Sequence, residues 1–117
     1  MKLSFLLFGK HIEFVGFIDS GNSLYDSLTK KPVVVASKKS LERYFSKNEI
    51  YDIMNNFGRV LECETIGESL VKIRVFSIKD FTIFDEKTSK QIPCVLGVVD
   101  KVFENTKYDC LLHRDFI

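Results

Sequence analysis

The sequence predicts a mainly β domain with one short helical insert and a helix start at its C-terminus. Three observations carry this. β-branched and aromatic runs recur along the chain with Gly-centred turns between them. The hydrophobic period switches to helical spacing once, over residues 37–57. Ile92-Pro93-Cys94-Val95-Leu96-Gly97-Val98-Val99 is nearly all apolar, as expected of a strand covered on both faces. The 117 residues suffice for one domain over 1–117, and 45% hydrophobic content with 11 Phe supplies its core. A chain of this size buries roughly 65% of the surface it exposes when unfolded.

Residues 3–8 and 11–18 read as a hairpin turning at Gly9-Lys10. Residues 20–31 are polar and read as an irregular loop. Pro32-Val33-Val34-Val35-Ala36 is a short β run with Pro at its start, where the missing N–H does least harm. Ser37 is the expected N-cap of a helix over 38–45, with Leu41, Tyr44 and Phe45 on one face. Ser46-Lys47-Asn48-Glu49 matches a capping box. It predicts a second helix that turns Ile50, Ile53, Met54 and Phe57 inward and stops at Gly58. Residues 59–66 and 69–78 return to strand character, with a tight turn at Gly67-Glu68. In the second of these, Val71, Ile73, Val75 and Ser77 form the more apolar set against Leu70, Lys72, Arg74 and Phe76, so one face is expected to be wet. Residues 81–84 make a short strand, and Asp85-Glu86-Lys87-Thr88-Ser89-Lys90 reads as a solvated turn. Residues 109–117 carry Leu111-Leu112 and a helix start. No repeat or low-complexity segment interrupts this order.

Composition excludes several classes. Net charge is +1, from 17 basic and 16 acidic residues, whereas a nucleic-acid binder would show a basic excess. No apolar run approaches the ~20 residues that span a bilayer. The apolar start, Leu3 to Phe8, is too short for a signal sequence and lacks a small-residue cleavage site. The chain is therefore expected to be soluble. Cys63, Cys94 and Cys110 are odd in number and match no zinc spacing, so buried reduced thiols are expected. No Cys-x-x-Cys pair stands near His11 or His113, and neither a metal nor a cofactor is expected.

Phe17-Ile18-Asp19-Ser20-Gly21-Asn22 carries the chemistry. An apolar strand climbs to one carboxylate and then turns sharply, with Gly21 permitting the turn. Apolar-apolar-Asp-(Ser/Thr)-Gly is how an aspartic protease presents its catalytic acid. The chain holds one such triplet, and this chemistry needs two carboxylates, so the reading requires a symmetric pair of chains. The bland alternative is an Asp-Ser-Gly-Asn turn that closes a hairpin.

Two further segments resemble the retroviral-type aspartic proteases. The hairpin over 59–78, with Thr65, Ile66 and Gly67 at its tip, lies where a flap belongs, although an ordinary hairpin fits the same residues. Tyr108 to Ile117 resembles the second signature of those enzymes, in which a strand crosses under the catalytic loop and leads into a short helix. Leu111 and Leu112 are in register with it, and His113 stands where those enzymes have Gly. A buried structural role is the alternative for His113.

The stretch from Asp19 to Val33 (Asp19-Ser20-Gly21-Asn22-Ser23-Leu24-Tyr25-Asp26-Ser27-Leu28-Thr29-Lys30-Lys31-Pro32-Val33) resembles the hallmark of a nearer family, the sporulation sigma-factor (sigma-E) processing peptidases. The residues from Ile92 to Val98 and the Leu111-Leu112-His113 ending, with His in the last position, resemble it too. Ser27 departs from the Pro often found there. The likeness runs from about Leu3 to Ile117.

That resemblance implies a retropepsin-like closed barrel, the C-terminal protease domain of a protein anchored by preceding membrane segments. This chain would be the soluble part of that protein, with Met1 added for expression. It implies a homodimer that removes the pro-segment of an inactive sigma factor. The setting would be the mother-cell, cytoplasmic side of the septal membrane, and a secreted forespore protein would switch the enzyme on. Asp19 is then the catalytic acid, Ser20 and Gly21 shape its loop, and Asn22 braces it. Thr65, Ile66 and Gly67 are the flap candidates, and Leu111, Leu112 and His113 support the loop from below. The insert at 37–57 is best read as a cap on an open barrel edge. Two alternatives stand beside this reading: a catalytically silent domain of the same fold that binds a peptide or partner, and a thiol enzyme using Cys94 or Cys110 with a histidine.

Overall fold

The structure, a computed structural model, describes residues 1–63, 71–100 and 107–116. Nine strands form one sheet in the order β4-β5-β8-β3-β9-β2-β1-β6-β7. They are β1 (Lys2–Leu7), β2 (Lys10–Ile18), β3 (Val33–Ser37), β4 (Arg59–Cys63), β5 (Val71–Ser77), β6 (Lys79–Phe84), β7 (Ser89–Gln91), β8 (Val95–Val99) and β9 (Cys110–Leu112). β2 with β9 and β3 with β8 are parallel, and the other pairs are antiparallel. The mainly β class is as expected. The expected closure of the barrel is corrected: no pairing among the described residues joins β4 to β7, and the ladder is open.

The first hairpin pairs Lys2 with Val15 through Leu7 with Lys10. Its turn is Phe8-Gly9, one residue earlier than expected. Both residues have positive φ, 50° and 76°, the two-residue geometry that matches strand twist. A Phe at positive φ is unusual, and tertiary contacts hold it there. Its ring meets Phe57 edge-on at 5.2 Å and Phe76 at 6.2 Å.

Two clusters pack against the sheet. The larger joins Leu3, Phe5, Leu7, Ile12 and Phe14 of the hairpin to Val34, Ala36, Leu96, Val98 and Leu112. The smaller lies on the opposite face and contains Val33, Val35, Ile73, Val75 and Val95. Strands β3 and β8 are thus buried on both faces, which is why their sequences are continuously apolar. The two clusters also divide β5. Ile73 and Val75 fill the smaller one as their spacing suggested, but Phe76, expected on a wet face, is 3% exposed in the larger.

Ser37 caps a 3₁₀ turn over Lys38–Arg43, accepting from the Ser40 N–H at 3.2 Å, in place of the longer helix expected. Helix α1 (Lys47–Asn56) begins with the expected capping box. Ser46 Oγ accepts from Glu49 N–H, and Glu49 Oε1 accepts from Ser46 N–H. Ile50 and Ile53 are buried and Met54 is partly buried. Phe57 does not turn inward. It is 46% exposed, because the chain leaves the helix there to reach Gly58 at φ +75°.

The insert lies along β2 where β9 does not reach. The Tyr44 hydroxyl donates to Glu13 O and accepts from Glu13 N–H, at 2.8 and 2.9 Å. Arg43 grips Asp109 at 2.7 and 3.1 Å, and the Asp109 carboxylate accepts from Val15 N–H at 2.8 Å. These side chains occupy backbone groups that would otherwise form a bare strand edge. Ser89 and Lys90 of β7 fall within the segment read as a solvated turn, and Gln91 lies just beyond it: all three residues of the strand are exposed, so they show no alternation. The chain ends in a 3₁₀ turn, Arg114–Phe116, at the expected helix start.

Candidate active site

Asp19 immediately follows β2. The parallel pairing of Gly16, Phe17 and Ile18 with Cys110, Leu111 and Leu112 carries the strand to this point. The Asp19 N–H donates to Leu112 O at 3.2 Å, extending the ladder by one bond. The backbone then reverses, and Asn22 N–H donates to Asp19 O at 2.9 Å. Gly21 N–H donates to Asp19 Oδ1, also at 2.9 Å, the local bond that Asp favours in turns. Among the described residues no donor reaches the other carboxylate oxygen, and no ion pair ties Asp19 to a second titratable group. Asp19 is half-buried, whereas Ser20 and Gly21 are exposed.

Asn22 is 6% exposed and joins three segments. Its Nδ2 donates to Val33 O at 3.0 Å and to Leu111 O at 3.4 Å, and its Oδ1 accepts from Leu24 N–H at 3.3 Å. Its carbonyl accepts from Arg114 N–H at 3.0 Å. Leu111 and Leu112 therefore meet the Asp19 loop through their carbonyls, and β9 runs beneath it.

His113 is fully buried. Its Nδ1 accepts from Asp115 N–H at 3.0 Å, which puts the proton of the neutral ring on Nε2. Nε2 makes no hydrogen bond among the described residues. Burial pushes the ring below the ordinary histidine range, and Arg114 adds to this. The Tyr25 ring packs edge-on at 4.7 Å. Burial and the bond to Asp115 N–H enclose this imidazole within the fold.

The flap candidates Thr65, Ile66 and Gly67 lie outside the described residues. The strands leading to and from them, β4 and β5, pair Arg59 with Val75 through Cys63 with Val71.

One group at this end of the molecule was not singled out from the sequence. Asp26 is 0% exposed, and its carboxylate accepts from Leu28 N–H, Thr29 N–H, Thr29 Oγ1 and both terminal nitrogens of Arg59. The Arg59 bonds hold this carboxyl far below the usual carboxylate range, against the opposing effect of burial. The Asp26-Ser27-Leu28-Thr29 spacing signals a side-chain-capped turn. Nothing local signals Arg59, which is 33 positions away.

Cys94 and Cys110 are buried free thiols, and burial pushes Cys94 up to about 12 and Cys110 upward as well. Both are protonated at neutral pH, which leaves a thiolate mechanism without a nucleophile there. Among the described residues no cluster of His, Cys, Asp and Glu could hold a metal ion, and no helix is long and apolar enough to cross a membrane.

An accessible carboxylate aimed by a tight loop, with one oxygen free of protein donors, fits a peptidase. Comparison with known proteins agrees. The family model described as sporulation factor SpoIIGA, a peptidase family, matches residues 1–116. A Bacillus thuringiensis subsp. kurstaki protein described as a sporulation sigma factor-processing peptidase is 40% identical, over 97% of this chain and 81% of that protein. No solved structure matches. The chain belongs to the SpoIIGA family of sporulation sigma factor-processing peptidases.

Proposed function

We propose that the chain is an aspartic endopeptidase of retropepsin-like type, active as a homodimer to which each protomer contributes one Asp19. The observation that carries this reading is the Asp19 loop: a half-buried carboxylate held at one oxygen by Gly21 N–H and bonded to no second acid among the described residues. One ionised carboxylate cannot take a proton from water and, at the same moment, polarise the scissile carbonyl as an acid. His113 is enclosed and neutral, and Asp26 is committed to Arg59, so a second copy of Asp19 is the natural source of the missing acid.

Two such carboxylates side by side cannot both ionise easily, and the pair shares one proton. The ionised member takes a proton from water as that water attacks the scissile carbonyl. The protonated member polarises the carbonyl oxygen and then supplies the leaving nitrogen with a proton. Ser20 is exposed beside Asp19, and in such a pair its hydroxyl is available to the partner protomer.

The substrate in this reading is a pro-sigma factor, cut to release its pro-segment. Its site of action is the cytoplasmic, mother-cell face of the septal membrane, under control of a secreted forespore activator. Asp19→Ala and Asp19→Asn are expected to abolish pro-sigma cleavage in sporulating cells while the protein accumulates normally. Cleavage at the wild-type rate in either variant would refute the aspartic mechanism. Co-expressing Asp19→Ala with wild type tests the dimer, because mixed pairs hold one carboxylate and total processing should fall more steeply than the wild-type dose.

A further inference from the structure

We propose that Asp26 and Arg59 are positioning residues, a two-pronged link on a buried carboxylate that sets the strands β4 and β5 against the loop of Asp19. The inference rests on the aspartic-peptidase reading and adds to it a determinant of substrate placement outside the catalytic loop.

Asp26 is the only carboxylate buried among the described residues, and its acceptor capacity is filled. Three of its donors come from its own turn. The other two are Arg59 Nη1 and Nη2, at 2.8 and 2.5 Å, in a two-pronged contact that fixes direction as well as distance. Arg59 is the first residue of β4, the edge strand of the sheet, which pairs with β5 alone. The fork therefore adds to the ladder with β5 a link that reaches across to a different segment.

On the Asp26 side the turn is rigid. Asp26 N–H donates to Lys31 O and Lys30 N–H to Asp26 O, both at 2.8 Å, and Tyr25 bridges to Pro32. Leu24, two residues before Asp26, donates to Asn22 Oδ1, and Asn22 closes the turn on Asp19. β4 is thus connected to the catalytic loop through the fork, the short stretch from Asp26 back to Leu24, and the Leu24–Asn22 and Asn22–Asp19 bonds at 3.3 and 2.9 Å. Stability alone does not account for the fork, because apolar residues of equal volume commonly replace a buried ion pair without loss. What an apolar pair cannot supply is the fixed bearing of one segment on another.

The test compares Arg59→Ala, Arg59→Lys and Asp19→Asn in the full chain, with cleavage of the cognate pro-sigma factor and amide hydrogen exchange in β4 as readouts. Because the Arg59 side chain is 37% exposed, a small cation can reach the space that Ala leaves. Arg59→Ala is expected to lower kcat/KM by about tenfold or more, the scale set by small misplacements of bound substrate. KM should rise while the pH profile of kcat stays in place, and β4 amides should exchange faster. Guanidinium ion at non-denaturing concentration should restore both readouts, and ammonium should not.

Arg59→Lys keeps the charge without the fork and should fall short of wild type. If Arg59→Ala does not fold, the Lys variant carries the test. Wild-type kcat and KM in a folded Arg59 variant, or a loss that guanidinium leaves unchanged, overturns the proposal. Asp19→Asn separates the two readings: full cleavage there refutes the aspartic mechanism, and exchange in β4 still reports on the fork.

Discussion

Gly21 N–H and Asp19 Oδ1 lie 2.9 Å apart, so the catalytic candidate is aimed by the loop it begins. A Cβ added at Gly21 would sit 3.3 Å from that same oxygen, tighter than an ordinary contact. The bond and the absent side chain serve one purpose: the carboxylate lies against the backbone of its own turn.

Gly21→Ala should therefore disturb activity more than stability. The site is exposed, and the side-chain oxygen can give way by a few tenths of an ångström. We expect a fall of about 10–100-fold in cleavage, the usual consequence of displacing a reacting group. The thermal midpoint should stay close to that of wild type. Cleavage kinetics and a melting curve on one preparation check both.

Asn22→Ala should act through the fold. It strips donors from the carbonyls of Val33 and Leu111 and the acceptor from Leu24 N–H, in a site 6% exposed. Buried groups left unpaired cost about 1–3 kcal/mol each, and partial rehydration limits the sum to roughly 2–4 kcal/mol. Urea denaturation measures it as a lower midpoint at unchanged slope.

His113 makes stability depend on pH. Its folded-state value lies below the ordinary one, chiefly because the ring is buried. The unfolded chain therefore takes up a proton before the folded chain does. This contribution is complete above the unfolded histidine value, about 6.5, and is lost as pH falls below it toward the depressed folded value. The melting temperature should drop from pH 7.5 to pH 5.5, and His113→Gln should lower it at pH 7.5 but flatten that slope. An unchanged slope in the variant would assign the effect to other groups.

Cys94 and Cys110, both buried with raised thiol values, should resist iodoacetamide in the folded protein and react fully in denaturant. Mass spectrometry of native and unfolded samples reads this directly. Rapid native labelling of either thiol that also stops cleavage would favour thiol chemistry.

Gly58→Ala should destabilise strongly. Its φ is +75°, and an added Cβ would lie 2.7 Å from Val75 O, a backbone atom that cannot swing aside. Strain and displacement together should cost about 2–4 kcal/mol. Denaturation midpoints test this, with Gly9→Ala as a reference: it shares the positive φ at +76° but meets nothing within 4 Å.

Features set by near neighbours were legible in the amino-acid order: the first hairpin, the Ser46–Glu49 capping box, the all-apolar β3 and β8, and the turn at Asp19. The hairpin, the capping box and the Asp19 turn depend on contacts a few residues apart, and the composition of β3 and β8 reports their burial on both faces directly. The misplacements have distant causes. Phe8 takes the left-handed turn position because Phe57 and Phe76 receive its ring. Phe76 is buried because two cores share β5, and β7 forms because β6 offers it an edge.

The chain by itself determined its strand-forming runs, its helix caps and the carboxylate placed between an apolar strand and a Ser-Gly turn, because these follow from dihedral preference and local hydrogen bonding. Tertiary structure alone decided that Asn22 would meet Leu111 across 89 positions, that Asp26 would meet Arg59 across 33, and that no pairing among the described residues would join β4 to β7. Such pairings depend on how the whole core packs, and no short window of residues carries that information.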